Sequence, residues 1–473
     1  MHLVAVGGSD AGISAALRAR ELDPSADVTV VVADAYPNFS ICGIPYHVSG
    51  EVPDWRSLAH RSIADLEATG MQLRLDTRAT EIDVAGHRLL VTTLAGRSEL
   101  IAYDALVVGT GATSVRPPIA GLTGPDGLDE DDGVHLLHSM ADTFAVMRTL
   151  TETAPASALI VGAGYIGLEM AEALTVRGLR VTQVEMLPEV LPTLDPELGA
   201  MLQAELAAHD VDVITGTTVD AITRAAAGAA GRLRVDGHGA AGRPLTRFVD
   251  LVLVVAGIRP DTELALAAGA RTGPAGALVV DDQMRTGLPG VFAAGDCVAT
   301  QHRQLGITYL PLGTTAHKQG RVAGENALGG NRRFAGSLGT QVVKIFDLAA
   351  ARTGLRDHEA RAVGHAPAST QVTADDHKAY YPGAHPLAVR VTGDSGTGRL
   401  LGAQIVGHMD GAVAKRIDTF AAALFSELTV DAVSDLDLSY TPPLGSPWDA
   451  VQAGAQAWTR RHQPAARPSV LTT

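Results

Sequence analysis

The stretch ALIVGAGYIGLEMAEAL, residues 158–174, runs an apolar segment into a glycine turn and out into a helical pattern. Gly162, Gly164 and Gly167 stand in the spacing G-x-G-x-x-G. Glycine lets a turn of this kind bring its backbone close to a pyrophosphate, and the helix that follows offers free N–H groups and a partial positive charge. The same order of strand, turn and helix opens the chain. There HLVAVGGSDAGISAALRARE, residues 2–21, carries Gly7 and Gly12 with Ser9 at the middle position. Two such openings about one domain apart predict a pair of dinucleotide-binding units.

An acid at the end of the next strand holds an adenosine ribose. The second unit supplies Glu185 at the end of LRVTQVE, followed by Met186, Leu187 and Pro188 with no arginine. A carboxylate there accepts from a 2′-hydroxyl and repels a 2′-phosphate, which favours NADH and leaves NADPH as the second choice. In the first unit the strand DVTVVVAD offers only Asp34.

The 473 residues exceed a single core, so several domains are expected. A net charge of −15 argues against nucleic acid as partner. Only four lysines occur, Lys318, Lys344, Lys378 and Lys415, so arginine carries most of the positive charge. Two cysteines, Cys42 and Cys297, cannot build a secreted disulfide framework. The N-terminus reads as strand and turn rather than signal peptide, and no apolar run is long enough for a membrane span. A reducing cytoplasm is the expected setting. No metal-ligand set is read from the spacing.

Further segments extend the pattern. YDALVVGTGATSVRPPIAG (103–121) is a strand entering a Gly-Thr-Gly turn, then prolines suited to a domain crossing. TGLPGVFAAGDCVA (286–299) is a strand ending at Gly295-Asp296. From about 335 the pattern changes to strands and one long helix, AVAKRIDTFAAALFSEL, which predicts a separate α+β domain. TRRHQPAARPSVLTT, residues 459–473, reads as a loose tail.

Taken together these segments resemble the flavin-dependent pyridine nucleotide–disulfide oxidoreductases along essentially the whole chain. The resemblance rests on the opening at 6–12, the turn at 109–112, GAGYIGLE (162–169), FAAGDC (292–297) and LPLGTTAHKQGRVAGEN (310–326). It implies an α/β fold with two Rossmann-like domains, for FAD and NAD(P)H, and a C-terminal α+β dimerisation domain. The boundaries expected are 1–117 and 248–332 for the FAD domain, 118–247 for the NAD(P)H domain and 333–458 for the dimerisation domain. Cofactor contacts are expected from Gly7, Ser9, Gly12, Asp34, Ser40, Thr110, Gly111, Gly162, Gly164, Tyr165, Gly167, Glu169, Glu185, Gly257, Asp296 and Gly313. Tyr165 would lie over the flavin where nicotinamide docks, and swing aside.

Within that family PNFSICGIPYHVSG (37–50) is similar to the single-cysteine branch. His47 stands where a Cys-x-x-x-x-Cys pair would place its second sulfur. The branch contains coenzyme A-disulfide and persulfide reductases and NADH oxidases. The segments HKAYYPGAH and DLDLSYTPPLGSPWD look like the tyrosine-bearing segments of the former, which implies that Tyr440 and one of Tyr380 or Tyr381, with Tyr381 preferred, reach the active site of the partner subunit in a homodimer with shared sites. Asp10 stands where the peroxidases have histidine, and Ile41 where the disulfide reductases have asparagine.

The thiolate is the reactive form, and a helix N-terminus and oxidised flavin near Cys42 are expected to favour it. With no partner cysteine, the substrate must supply the second sulfur. The leading expectation is NAD(P)H-dependent reduction of coenzyme A disulfide, coenzyme A persulfide or polysulfide. Alternatives are an NADH oxidase cycling through a Cys42 sulfenate, and a flavin electron-transfer reductase with an incidental cysteine. Arg18 and Arg20 could bind coenzyme A phosphates or be solvated helix-face arginines. His47 could donate a proton or be a surface loop residue, and Cys297 reads as a buried structural thiol.

Overall fold

The computed structural model describes residues 1–123 and 127–462. The first strand, His2–Val6, lies in the middle of a five-stranded parallel sheet. On one side stand Asp27–Val31 and then Gln72–Arg74; on the other, Ala105–Val108 and then Val291–Ala293. The strand order therefore reverses at the first strand, which is where α/β sheets open a crevice for ligands. Its residues Leu3, Val4 and Ala5 are fully buried, as a sheet covered on both faces requires.

Four helices frame the site. Helix α1 (Asp10–Leu22) follows the first glycine turn. Helix α2 (Ile44–Ser49) follows the 3₁₀ turn Ile41–Gly43 that carries Cys42. Helix α3 (Tyr165–Val176) follows the second glycine turn, and helix α4 (Gly313–Ala327) follows Pro311-Leu312. Helix α1 buries a small-residue face of Ala11, Gly12, Ala15, Ala16 and Ala19. Helix α4 meets that face with glycine: a Cβ on Gly320 would stand 2.3 Å from the Ala11 carbonyl oxygen, and one on Gly324 2.2 Å from that of Ala15.

The second sheet is also parallel, in the order Asp212–Ile214, Arg180–Val184, Ser157–Val161, Leu251–Val254, Val134–Leu136. Leu251–Val254 thus belongs to the second unit, past the boundary expected at 247. The chain crosses back one turn later, where Ile258–Pro260 pairs antiparallel with Ala112–Ser114.

The third unit is a five-stranded antiparallel sheet, Gln341–Ile345, Leu348–Gly354, Leu400–His408, Pro386–Asp394, Pro367–Asp375, backed by helices Val413–Phe425 and Ala450–His462. The expected tail beginning at 459 is corrected here. Residues 459–462 continue a helix whose Trp458 is fully buried and donates its indole N–H to the Ala368 carbonyl at 2.7 Å. Arg460, Arg461 and His462 suit a helix C-terminus, where cations meet free carbonyls. Residues 463–473 lie outside the described residues.

This third unit grips the second. Arg352 and Arg356 donate to the carbonyls of Pro192, Thr193 and Leu194 at 2.8–3.0 Å, and Gln404 exchanges two hydrogen bonds with Asp195. Lys344 pairs with Glu172, whose other oxygen accepts from the Phe346 amide at 2.8 Å.

If the last helix is part of the core, Trp458→Ala should destabilise the protein by about 3–5 kcal/mol in denaturant unfolding. A change below about 1 kcal/mol would show that the helix is peripheral.

Candidate active site

The two parallel sheets and the third unit enclose a cleft of about 1760 Å³. That exceeds the few hundred to about 1,000 Å³ of an ordinary ligand pocket. Cys42 lines it, with the cofactor residues expected from the sequence except Gly12 and Gly167. Those two sit behind the turns. A Cβ on Gly12 would lie 2.1 Å from the Gly7 carbonyl oxygen, and one on Gly167 2.2 Å from that of Gly162, so each seats its helix on its strand. Gly7 (φ +112°) and Gly162 (φ +110°) take the left-handed backbone that lets each turn fold under its helix.

The first half of the cleft fits FAD. Ser9 caps α1 without using its hydroxyl, and Gly313 opens α4, so two helix N-termini face the same space. Asp296 accepts no side-chain hydrogen bond among the described residues, and burial together with the charge of Asp10 pushes it up to about 6. A carboxylate left without donors suits hydroxyls such as those of a ribityl chain. Thr110 donates to the Asp261 carbonyl at 2.5 Å and fixes the turn that Gly111 completes. Ser40 lines the wall beside Cys42. Asp34 lies at the rim, exposed, its carboxylate accepting from the Tyr36 amide at 2.9 Å. The position nearer the strand end belongs to Val32, whose side chain packs on Gly8.

The second half fits a pyridine nucleotide. Gly164 and Gly257 are open toward the cleft, with nothing within 4 Å of an added Cβ. Glu185 is buried, and its oxygens accept from the Ala163 amide at 2.7 Å and the Leu187 amide at 2.9 Å. The carboxylate thus braces the glycine turn as well as presenting lone pairs to a ribose. Tyr165 begins α3, and its hydroxyl is tied to Thr193 at 3.1 Å and to Gln341.

The electrostatics of Cys42 differ from expectation. The residue is exposed to the cleft, but the surrounding walls desolvate its thiol. Burial pushes the thiol up, and the carboxylates of Glu169, Asp10 and Asp296 push it further. The helix that follows is only six residues long and does not offset them. Glu169 is itself raised to about 7, by burial and by Glu172 one turn on, against a hydrogen bond from Tyr46 and the charge of Lys344. Tyr46 and Lys344 were not singled out from sequence; the helical i, i+3 spacing of Glu169 and Glu172 is the signal that could have found their acidic face.

Three sequence alternatives are settled by contacts. His47 is buried, its Nδ1 bonded to the Val52 carbonyl at 2.8 Å, and it does not line the cleft. Arg18 pairs with Glu325 at 2.6 Å and Glu21 at 2.9 Å, and Arg20 donates to the carbonyls of Thr69 and Ala26. Both arginines therefore have partners within the fold. Cys297 is fully buried against the carbonyls of Val108 and Ala294, its thiol pushed up to about 11. Tyr381 and Tyr440 stand exposed on the third unit, outside this chain's own cleft. Tyr380 stands beside Tyr440; desolvation and that neighbour push its hydroxyl up, while Tyr381 packs edge-on to His377.

Residues 1–320 match the family described as pyridine nucleotide-disulphide oxidoreductase, and residues 340–450 match its dimerisation domain. A Pyrococcus abyssi protein named NAD(P)H sulfur oxidoreductase (CoA-dependent) is 32% identical over 453 residues, 94% of this chain and 96% of that one. A Methanocaldococcus jannaschii protein named NADH oxidase is 30% identical, covering 96% of this chain and 98% of its own. Among solved structures, an NAD-dependent persulfide reductase from A. fulgidus superposes with a TM-score of 0.89 at 35% identity, covering 98% of this chain and 84% of that one.

Glu169 carries a pH prediction. Its folded value, about 7, lies above the ordinary 4.5, so the folded state binds more protons between these values and stability falls as pH rises through that window. Glu169→Gln should flatten that fall in thermal melts. It should also lower the pH at which Cys42 is alkylated by iodoacetamide at half its maximal rate. Unchanged melting and alkylation profiles would refute both charge assignments.

Proposed function

Because the chain belongs to the pyridine nucleotide-disulphide oxidoreductase family, we propose that this NAD(P)H-dependent flavin oxidoreductase reduces the S–S bond of a coenzyme A disulfide, coenzyme A persulfide or polysulfide through Cys42. The observation that carries the reading is a single cleft sulfur: Cys42 lines the cleft and the only other cysteine, Cys297, is sealed in the core. The substrate therefore brings the second sulfur.

The Cys42 thiolate attacks one sulfur of R–S–S–R, forms Cys42–S–S–R and releases R–S⁻, which takes up a proton. Two electrons from NAD(P)H then cleave the mixed disulfide, returning the Cys42 thiolate and a second thiol. FAD, when bound, supplies the two-electron relay between nicotinamide and sulfur. The carboxylates that hold the thiol up make attack depend on removal of its proton. Burial and the bond to Val52 weigh against His47 as proton donor to the leaving thiolate.

The donors expected from the sequence besides His47 are tyrosines. Tyr440, Tyr380 and Tyr381 are exposed, as are Leu444 and Trp448, all within the region matching the dimerisation domain. In a homodimer these hydroxyls would complete the partner subunit's cleft and protonate the leaving thiolate. Glu185, with no arginine after it, supports NADH over NADPH. A working thiol supports a reducing cytoplasm as its setting; among the described residues no helix is long and apolar enough to cross a membrane.

The deciding assay is NADH consumption by FAD-loaded protein in air, with and without coenzyme A disulfide or persulfide. Sulfur substrate should raise turnover at least about tenfold, and Cys42→Ser should abolish that gain, returning turnover to its level in air alone. Equal consumption in air alone would favour the oxidase reading, and full turnover in the Cys42→Ser variant an electron-transfer reductase. In the same assay kcat/KM for NADH should exceed that for NADPH by roughly tenfold or more; parity would remove Glu185 as the discriminator.

A further inference from the structure

Asp10 opens α1, His60 lies in the loop before Arg61-Ser62, and His317 sits one turn into α4. These segments are distant in the chain, yet one ligand atom from each lies within 4.8 Å of the other two. All three residues line the cleft that holds Cys42.

The hydrogen bonding at His317 is informative. Its Nδ1 lies 2.9 Å from the Ser14 hydroxyl, and its Nε2 lies 3.3 Å from the Asp10 carboxylate. The Ser14 hydroxyl can accept from Nδ1–H, and Nε2 then presents a lone pair to the carboxylate; in that tautomer a cation between the two acceptors satisfies both, whereas in the other Nε2–H faces Asp10 directly. Among the described residues no lysine or arginine pairs with Asp10. A proton could bridge the pair, but a proton serves two acceptors. Here a third donor converges: the His60 ring, 6.1 Å centroid to centroid from His317, makes no hydrogen bond among the described residues.

We propose that Asp10, His60 and His317 form a binding site for a divalent transition-metal ion of the Zn²⁺ or Co²⁺ class at the mouth of the Cys42 cleft. Two imidazoles and one carboxylate are a donor set suited to such ions, and three protein ligands leave a position open to water or to an incoming sulfur. Ser14 then has the orienting role that hydrogen-bond partners of ligating histidines usually fill. Metal–ligand bonds near 2.0–2.2 Å place tetrahedral ligand atoms roughly 3.4 Å apart, so a small rotation of the exposed His60 side chain closes the set. The site stands independently of the sulfur substrate proposed above.

The test is a Co²⁺ titration of FAD-loaded, full-length protein. Visible d–d bands at wavelengths beyond the flavin absorption should saturate at one ion per chain, and Zn²⁺ should displace them. His317→Ala and His60→Ala should each weaken binding by about tenfold or more, and Ser14→Ala by a smaller factor, while flavin content and melting temperature stay unchanged. His60 is exposed, so its variant reports on the site even if the His317 variant folds poorly. No saturable bands in the wild type, or an unchanged titration in His60→Ala, would overturn the proposal and leave a proton as the bridging cation.

Discussion

Helices α1 and α4 touch backbone to backbone, and the cleft depends on that contact. Ala11 and Ala15 on one helix meet Gly320 and Gly324 on the other with no room for a Cβ. The same economy recurs at the turn, where a Cβ on Gly7 would stand 2.0 Å from the Gly109 carbonyl oxygen. Side chains of ordinary size at these places would push the helices apart. With hydrogen and methyl groups alone between them, the N-termini of α1 and α4 converge on one space, and Asp10 comes within reach of His317.

The charge in that space is mostly negative. Asp10, Glu169 and Asp296 all act on the Cys42 thiol, and all raise it. Thiolate is the form that peroxides and oxygen oxidise, so a thiol held protonated gives up some nucleophilicity and gains resistance to over-oxidation.

Much of this was legible in the sequence because glycine spacing encodes backbone geometry. G-x-G-x-x-G marks Gly162 and Gly167, and the structure shows the carbonyls that exclude a Cβ there. What escaped had weaker local signals. LVLVVAG reads as a buried strand whichever sheet it joins, so the crossing between domains was set too early. The basic end Arg460–His462 looks like a tail until Trp458 is seen in the core beneath it. Arg18 and Arg20 have partners that only the tertiary fold brings close. The association of Asp10, His60 and His317 leaves no trace in spacing, since each residue sits on a different element.

The grip of the third unit on the second has a kinetic consequence. Arg352, Arg356 and Gln404 hold the loop 192–195, and Lys344 and Phe346 hold Glu172 on α3 itself. Beside the second glycine turn stands Tyr165, tied through its hydroxyl to Thr193 and Gln341 and packed against the core. Moving the second unit as a body would break these contacts together, so such a motion is slow beside the rotation of a single side chain.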